Sequence, residues 1–420
     1  GVVACLPPHV LSAEDREKAP ETKDLFIDVG LSRERAERLI PIGTPVVYRT
    51  DFTRLGARQV CAKALDDRAC FTALLRTAEL LQDRELDVDL YLLGSTREEV
   101  GGMGLDFQTT AMMFEELAKA DAGFAISLVT TFVAFRTVMQ SGTEEQKQLF
   151  VDKIAPGGFG AFCLTEPDAG SDAGAMRGTA VRDGDEYVIN ANKCFITTGQ
   201  YADIYVVMAS TDKSKGSRGI STFIVEKDRP GITVGKHENK LGLRLSNTCS
   251  VSFDDVRVPV SHRIGAEGEG LKSALGALNI SRAFVGTLAV GICHAAIDEC
   301  LKYVQERKQF GRPIADFQLV QGMLADMEIQ TEAARQLVQY AMRLIDNGMD
   351  VVKAGAITKC FCGDTVVKVT TDAIQVFGGY GVSREYPVEK LFRDSKVFQI
   401  FEGTNQIQRL TIAKELYRGN

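Results

Sequence analysis

Residues 1–101 combine short apolar runs with turns rich in glycine and proline. Runs bounded in this way are typical of β-strands, whereas an intervening stretch with apolar residues three and four positions apart indicates a helix. The predicted elements are strands at 25–30, 45–48 and 88–93 and a helix at 69–82. This succession of strand, helix and strand predicts a small α/β unit.

The rest of the chain changes its apolar period twice. Residues 106–155 have helical spacing, and Thr143 followed by Gln146 has the form of a capping box. Residues 158–260 alternate apolar and polar side chains, which predicts an antiparallel barrel or sandwich. From 270 onward helical spacing returns and predicts a four-helix bundle. The bundle helices are expected at about 285–307, 316–347, 350–377 and 404–417.

These patterns predict an α+β multidomain protein. A length of 420 residues agrees with this, since single cores rarely grow beyond roughly 250–300 residues. The expected order is an α/β fragment, a partial helical domain, a β-domain and a four-helix bundle. The corresponding ranges are 1–101, 102–157, 158–262 and 263–420.

Composition restricts the partners more than the fold. A hydrophobic fraction of 45% with 25% charged residues is ordinary for globular proteins. The net charge of −7 argues against nucleic acid and anionic membranes, so a polyanionic ligand would need a local basic pocket. No uninterrupted apolar run approaches the roughly 18 residues that cross a bilayer. The ten cysteines include no CxxC pair, which favours reduced thiols and a cytoplasmic location.

Two segments of the β-rich region place small residues and hydroxyls at strand ends. Residues 162–172 read FCLTEPDAGSD, where backbone N–H groups with Thr165 and Ser171 suit a phosphate or the polar edge of a ring. Residues 193–199 read KCFITTG and add the aromatic face of Phe195. Taken singly, the first segment could be an ordinary turn and the second a plain strand end.

Two motifs of the helical region fall where helices end. Residues 307–313, RKQFGRP, form a basic turn in which Arg307 alone would most simply complement a helix dipole. Residues 375–381, QVFGGYG, stop a helix with paired glycines, which allow the backbone to come close to a ligand. The second motif does not fit the GxGxxG pattern, so it does not indicate a nicotinamide cofactor.

The motif IFEGTNQIQ at 400–408 places Glu402 beside a glycine. If this carboxylate were buried, its pKa would rise and it could act as a general base. If it were exposed, it would only complement the dipole of the following helix. In the first case the neighbouring Gly403 would offer an N–H to developing negative charge.

From about residue 101 to the end, these motifs and their order resemble the acyl-CoA dehydrogenase family. The resemblance implies FAD-dependent α,β-dehydrogenation of an acyl-CoA thioester to a trans-2-enoyl-CoA, with Glu402 as the catalytic base. Residues 123–128 are similar to the short-chain branch of the family. The resemblance also implies a homotetramer, and an electron-transfer flavoprotein that accepts the electrons.

The resemblance further assigns ligand contacts, with Arg307 and Phe310 reaching the FAD of a neighbouring subunit. The implied FAD-binding residues are Phe162, Leu164, Thr165, Gly170, Ser171, Phe195, Ile196, Thr197, Arg307, Phe310, Gln318, Gln375, Gly378, Gly379, Thr404 and Gln406. The implied substrate-binding residues are Ser171, Asn279, Arg282 and Gly403. Some relatives carry the base near position 282, but the arginine here cannot take up a proton. Phe195 stands where many members have tryptophan, and Asn279 replaces an acidic residue.

Residues 1–101 instead resemble a dinuclear-metal glutamyl or deblocking aminopeptidase, through the motifs LDD and EEVG. The resemblance makes Asp66 a bridging ligand, Glu98 a general base and Glu99 a metal ligand. Such a site also needs histidines, and His9 does not lie in the ligand motif of that family. The other histidines, in the dehydrogenase-like part, are His237, His262 and His294. We therefore expect an incomplete metal site and no bound metal.

The sequence thus predicts a fusion of two family fragments. In the dehydrogenase family further helices roof the acyl pocket, and here the peptidase-like fragment takes their place. Apolar surface left without those helices would be exposed at roughly 25 cal/mol per Å², so weakened FAD binding or reduced activity is expected. A metallo-aminopeptidase and a catalytically silent fusion are the alternative hypotheses.

Overall fold

The computed structural model describes residues 106–418 continuously, together with four short strands that precede them. The chain divides into two compact units, Gly1–Arg84 and Glu85–Asn420. The helix predicted at 69–82 and the strands at 45–48 and 88–93 lie outside the described residues, as do Asp66, Glu98 and Glu99.

The described strands of the first unit form two antiparallel pairs. Strand β1 (Val2–Ala4) pairs with β2 (Phe26–Asp28), and β3 (Thr53–Arg54) pairs with β4 (Val60–Cys61). The strand predicted at 25–30 is therefore present as β2.

Two helices open the described part of the second unit, α1 (Phe107–Ser141) and α2 (Glu144–Ile154). The predicted capping box begins α2. The Gln146 backbone N–H donates to the Thr143 hydroxyl at 3.3 Å, and the Thr143 N–H donates to Gln146 Oε1 at 3.0 Å. These two bonds satisfy N–H groups that a helix leaves free at its start.

The β-region forms one eight-stranded sheet. Its strands are β5 (Phe159–Cys163), β6 (Thr179–Asp183), β7 (Glu186–Thr197), β8 (Ala202–Ser210), β9 (Ile220–Glu226), β10 (Ile232–Val234), β11 (Thr248–Pro259) and β12 (Arg263–Ile264). The order is β10–β11–β7–β6–β8–β9–β12, with β5 beside β8. Neighbours run antiparallel as predicted, except that β5 and β6 run parallel to β8. Alternating apolar residues indicate the buried face of a strand but not its direction of pairing.

Strand β8 has both faces covered, and this explains its continuous apolar run. Tyr205 and Val207 point into a core within the sheet, whereas Ile204, Val206 and Met208 pack in a second core with residues of α1 and α2. Strand β8 thereby joins the sheet to helices α1 and α2, which precede the sheet in the chain.

Five helices follow the sheet. They are α3 (Gly270–Glu306), α4 (Gln318–Asp346), α5 (Val352–Phe377), α6 (Pro387–Ser395) and α7 (Asn405–Tyr417). Helices α4, α5 and α7 match their predicted bounds closely, but α3 begins well before residue 285. The short helix α6 was not predicted. Between α3 and α4 the chain makes a small hairpin of β13 (Lys308–Gln309) and β14 (Arg312–Pro313).

Helix α3 lies at the centre of the helical region and packs against α1, α4 and α5. Phe284 makes edge-on ring contacts to Phe114 and Phe132 on α1, with centroid distances of 5.5 and 5.1 Å. A Cβ atom at Gly291 would lie 2.4 Å from the carbonyl oxygen of Glu115, so only glycine allows α1 and α3 to approach this closely.

Helices α1 and α3 are also long and apolar enough to cross a membrane, judged by length and composition alone. The chain has no uninterrupted apolar run of this length, yet these two helices reach it by mean hydropathy, because isolated polar residues interrupt the runs without lowering the mean much. The apolar windows of α1 and α3 are 56% and 83% buried within the protein. Such burial is that of core helices, and the absence of a membrane partner stays a prediction.

A buried ion-pair network fixes a bend in α1. Asp121 has extended backbone angles within the helix, and its Oδ1 accepts the N–H of Phe124 at 2.8 Å. Lys390 on α6 donates to Asp121 Oδ2 and to Asp394 Oδ2, both at 2.8 Å. Asp394 in turn accepts the N–H of Leu243. The bend is thus tied both to α6 and to the loop that precedes β11.

Replacement of Lys390 by methionine should destabilise the second unit by about 3–5 kcal/mol, because two buried carboxylates would lose their cationic partner. The measurement is the urea dependence of unfolding. Lys302→Met is the matched control, since Lys302 forms an exposed pair with Glu299. Equal midpoints for the two variants would show that the network does not stabilise the bend.

Candidate active site

Glu402 lies in a tight turn between a single 3₁₀ turn, Lys396–Gln399, and helix α7. Its φ is +54°, and that of Gly403 is +88°. A left-handed non-glycine residue is uncommon and is found most often where surrounding contacts hold a functional group in place. Thr404 then begins α7, with its hydroxyl accepting the N–H of Ile407 at 3.2 Å.

The carboxylate of Glu402 is directed at helix α3. Ser281 Oγ donates to Glu402 Oε2 at 2.9 Å, and Arg282 Nε donates to the Glu402 backbone oxygen at 3.4 Å. Burial raises the pKa of Glu402, although the Ser281 hydrogen bond and the charges of Arg282 and Lys359 act in the opposite direction. A carboxylate with a raised pKa is a stronger base than an exposed one.

The backbone of the turn is held by side chains from two helices. Lys359 on α5 is fully buried, and its Nζ donates to the Gly403 oxygen at 2.8 Å and to Asn405 Oδ1 at 2.9 Å. Gln408 Nε2 donates to the oxygens of Glu402 and Gly403 at 3.2 and 3.0 Å. Burial lowers the pKa of Lys359 to about 8. Lys359 could not be singled out from the sequence, because a single lysine within a long helix belongs to no recognisable motif.

A buried ion pair joins the two predicted cofactor segments of the sheet. Lys193 Nζ lies 2.8 Å from Glu166 Oε1 and donates to the Leu164 oxygen at 3.2 Å. The Cys194 N–H also donates to the Thr165 oxygen at 3.0 Å. Glu166 accepts two further backbone N–H groups, from Arg177 and Gly178. Leu164 and Thr165 are therefore held beside the strand that carries Phe195, Ile196 and Thr197.

The side chains of these segments differ in exposure. Phe195 has a φ of +55° and is 67% exposed, whereas the next residue, Ile196, is buried. Gly170 and Ser171 are exposed, and Phe162 is half-buried. The ring of Phe195 therefore faces outward from a strained backbone, and Ser171 is an exposed hydroxyl group of the other segment. These features fit a planar ring system that would cover Phe195.

A second group of predicted residues meets in a cavity of about 560 Å³ at the ends of α3 and α5. Arg307 lines it with Gly378 and Gly379, where added Cβ atoms would meet nothing within 4 Å. Tyr303 and Phe377 form a stacked pair on its wall, with ring centroids 4.0 Å apart. Glycines, aromatic rings and one guanidinium suit an aromatic ring that carries phosphate.

The remaining predicted residues lie apart from this cavity. Gln406 lines a polar cavity of about 390 Å³ together with Asp364 and Arg409, and the two cavities share no lining residue. Phe310 is 94% exposed at the tip of the β13–β14 hairpin, and Gln318 is exposed at the start of α4. Gln375 lies on the last turn of α5, just before the glycine pair.

The predicted substrate residues Asn279 and Arg282 bond to each other, with Arg282 Nη1 donating to Asn279 Oδ1 at 2.7 Å. Arg282 is buried, and its guanidinium also donates to the backbone oxygen of Glu402. Ser281, which the sequence did not single out, is the residue of this helix that reaches the carboxylate. Its position next to Arg282 was the one feature of the sequence that could have drawn attention to Ser281. Helical spacing, however, does not show which of two adjacent residues faces a turn that is distant in sequence.

Within residues 106–418 no group of three or more histidine, cysteine or acidic side chains could hold a metal ion. All cysteines in this part of the chain are free thiols. The proposed ligands Asp66 and Glu99 lie outside the described residues, so the expectation that no metal is bound stays a prediction.

The fold is thus an α+β architecture of helices, a covered sheet and a helical bundle, and the bundle holds a carboxylate whose pKa is raised by burial. Residues 161–256 match the acyl-CoA dehydrogenase middle domain and residues 268–417 the C-terminal domain. Residues 1–132 match the M42 glutamyl aminopeptidase family. The predicted fold class and the fusion of two family fragments are thereby confirmed.

Individual proteins agree with these matches. An acyl-CoA dehydrogenase of Bacillus subtilis is 45% identical over 324 residues, covering 77% of this chain and 86% of that protein. Butyryl-CoA dehydrogenase from Megasphaera elsdenii superposes with a TM-score of 0.74 at 43% identity, over 76% of this chain and 84% of that one. This chain belongs to the acyl-CoA dehydrogenase family, and the predicted enzyme class, an oxidoreductase of that family, is confirmed.

A further similar structure is described as the electron transferring flavoprotein of Acidaminococcus fermentans. A chain in it has a TM-score of 0.75 at 47% identity, over 77% of this chain and 86% of its own length.

The buried Lys359 should give the protein a distinct pH dependence of stability. Its pKa is about 8 in the fold against 10.5 for the free side chain. Between these values the unfolded chain binds a proton that the folded chain does not. Stability should therefore rise with pH from about 8 to 10.5, by roughly 3 kcal/mol from this group.

The measurement is the free energy of unfolding as a function of pH in the wild type and in Lys359→Met. The variant should show a smaller rise, which comes from Lys240, whose pKa burial also lowers to about 8, and the difference between the two profiles gives the contribution of Lys359. Parallel profiles for the two proteins would contradict the assignment.

Proposed function

We propose that the protein is an FAD-dependent acyl-CoA dehydrogenase that converts short-chain acyl-CoA thioesters to trans-2-enoyl-CoA, with Glu402 as the base. The observation that carries this proposal is the partly buried carboxylate, held in a left-handed turn with its pKa raised. The similarity to a butyryl-CoA dehydrogenase supports the short-chain preference.

Glu402 would take the α-proton of the thioester on a carboxylate oxygen. This proton is only weakly acidic, so the base must be poorly solvated and must be held close to the substrate. Lys359, Arg282 and Gln408 hold the backbone oxygens of the turn, and the carboxylate thereby stays in place while its charge changes. The Gly403 N–H would stabilise negative charge on the thioester oxygen.

FAD, when bound, would supply the acceptor for the hydride that leaves the β-carbon. Phe195 and Thr197, with Phe162, Leu164, Thr165 and Ser171, would hold its ring system and pyrophosphate on the sheet. Arg307 with the Gly378–Gly379 pair would hold, in the aromatic cavity, the nucleotide half of the FAD that belongs to a neighbouring subunit. Exposed Phe195 and the open space over the glycines fit such a ligand.

We propose that the enzyme is a homotetramer in which Arg307 and Phe310 contact the FAD of a neighbouring subunit. Phe310 and Leu319 are 94% and 86% exposed on the hairpin and at the start of α4, which supports contact with a second copy. The similarity to a chain from an electron transferring flavoprotein structure supports such a flavoprotein as the electron acceptor. A cytoplasmic location, without nucleic-acid or membrane partners, completes the proposal.

The match of residues 1–132 to a glutamyl aminopeptidase favours one second candidate, a metal-dependent aminopeptidase. Stoichiometric zinc or cobalt in the purified protein, with cleavage of aminoacyl nitroanilides, would support it. If neither flavin nor metal is retained, the protein is a silent fusion. Weakened FAD binding, from replacement of the roofing helices, stays a prediction of the leading proposal.

Replacement of Glu402 by glutamine should lower the rate of substrate-dependent flavin reduction by about 10²–10⁴-fold, because the amide cannot accept the α-proton. The measurement is the loss of visible flavin absorbance after butyryl-CoA is added under anaerobic conditions. Glu144→Gln, which alters an exposed carboxylate on α2, is the control and should reduce normally. Rapid bleaching in Glu402→Gln would refute the assignment of the base.

Replacement of Arg307 by alanine should weaken FAD binding about tenfold or more, because a charge-assisted contact to the cofactor is lost. The measurement is the dissociation constant from flavin fluorescence, together with the FAD retained per chain after gel filtration. Arg257→Ala removes an arginine from the sheet, away from both cavities, and should retain FAD. Equal affinities for the two variants would show that the aromatic cavity does not bind the cofactor.

A further inference from the structure

We propose that Ser281 is a positioning residue for the catalytic base, one whose hydroxyl hydrogen-bonds the Glu402 side chain in both of its protonation states. That Glu402 is the catalytic base rests on the proposed function. The hydrogen bond between Ser281 and Glu402 rests only on the geometry of α3 and the Glu402 turn.

The Ser281 hydroxyl has two acceptors within reach. Its Oγ lies 2.9 Å from Glu402 Oε2 and 3.1 Å from the backbone oxygen of Leu278, one turn earlier on α3. Ser281 is 1% exposed, so water does not compete strongly for the hydroxyl. Because a hydroxyl has a single proton, it can donate to only one of these acceptors at a time.

The two acceptors match the two states of the base. While Glu402 is a carboxylate, the Ser281 O–H donates to Oε2. Once Glu402 has taken a proton, its own O–H can donate to Ser281 Oγ, and the serine then turns its proton to the Leu278 oxygen. Both arrangements use the same heavy-atom positions, so the carboxyl group can gain or lose a proton without moving.

The charged groups around Glu402 do not replace this contact. Arg282 on α3 and Lys359 on α5 donate to the backbone oxygens of Glu402 and Gly403, not to the carboxylate. Cys360 and Asp364 on α5 also interact with Lys359, and Asp364 pairs with Arg409 of α7 at 2.7 Å. Within residues 106–418, Ser281 makes the one hydrogen bond to the Glu402 carboxylate oxygens.

The hydrogen bond favours the charged form of Glu402 and partly offsets the effect of burial, which raises the pKa. Because a hydrogen bond to the charged carboxylate is stronger than one to the neutral carboxyl group, removal of the hydroxyl should raise the pKa further. A base with a higher pKa stays protonated to higher pH, so the variant should lose activity on the acid side of its pH profile.

A matched control lies on the same helix. Thr287 is fully buried, and its hydroxyl donates to the Ala283 oxygen at 3.2 Å, a local bond like that from Ser281 to Leu278. Thr287→Val deletes a buried hydroxyl from α3 without touching Glu402. Ser281→Ala deletes the hydroxyl at the base, and Ser281→Thr keeps a hydroxyl at that position.

The test is an infrared pH titration of the holoenzyme. The carboxyl band of protonated Glu402 is identified by its loss in Glu402→Gln. In Ser281→Ala its midpoint should rise by about one pH unit. Thr287→Val should keep the wild-type midpoint, and Ser281→Thr should restore it. An unchanged midpoint in Ser281→Ala, or an equal shift in Thr287→Val, would overturn the proposal.

The pH dependence of kcat/KM for butyryl-CoA gives a second readout. The acid limb of Ser281→Ala should move to higher pH by the same amount as the infrared midpoint. If the wild type does not oxidise acyl-CoA, the proposed function fails, yet the infrared midpoints still decide the role of Ser281. If the wild type is active and both readouts stay unchanged in Ser281→Ala, the role of Ser281 alone is refuted.

Discussion

The desolvation of Glu402 is the constraint on which the active site depends. A buried carboxylate is costly unless its surroundings supply hydrogen bonds, and a useful base must also be able to lose its charge. In the Glu402 turn, one set of groups holds the backbone and a different group contacts the carboxylate. Lys359, Arg282 and Gln408 bind the backbone oxygens, while Ser281 contacts the carboxylate itself. The backbone is fixed by strong donors, and the side chain keeps a hydrogen bond that can reverse.

Buried pairs of opposite charge play the same part elsewhere in the fold. Lys193 and Glu166 join the two segments of the sheet that are predicted to bind the cofactor, and Lys390 joins the bend of α1 to α6. Because an unpaired charge in the interior is strongly unfavourable, each pair holds together two elements that are distant in sequence. The elements that carry the proposed ligand contacts are thus held in place by ion pairs between protein groups.

Local pattern predicted much of the architecture. The capping box at Thr143, the bounds of α4, α5 and α7, and the change from strand to helical spacing all depend on residues close in sequence. Helix α6 is only nine residues long and lies between turns, so its periodicity is too short to recognise. The parallel pairing of β5 with β8 could not be predicted, because two other strands separate them in the chain.

The sequence by itself determined the motif order and the family, and it predicted that Glu402 is the base. Only the tertiary structure decided what surrounds that base. Ser281 reaches Glu402 across 121 positions, and Lys359 reaches Gly403 across 44. Helical spacing shows which face of a helix is apolar, but not which distant backbone it meets. Packing of α3 against the Glu402 turn also buries the guanidinium of Arg282 and brings it to the Glu402 backbone oxygen, a contact that the sequence did not predict.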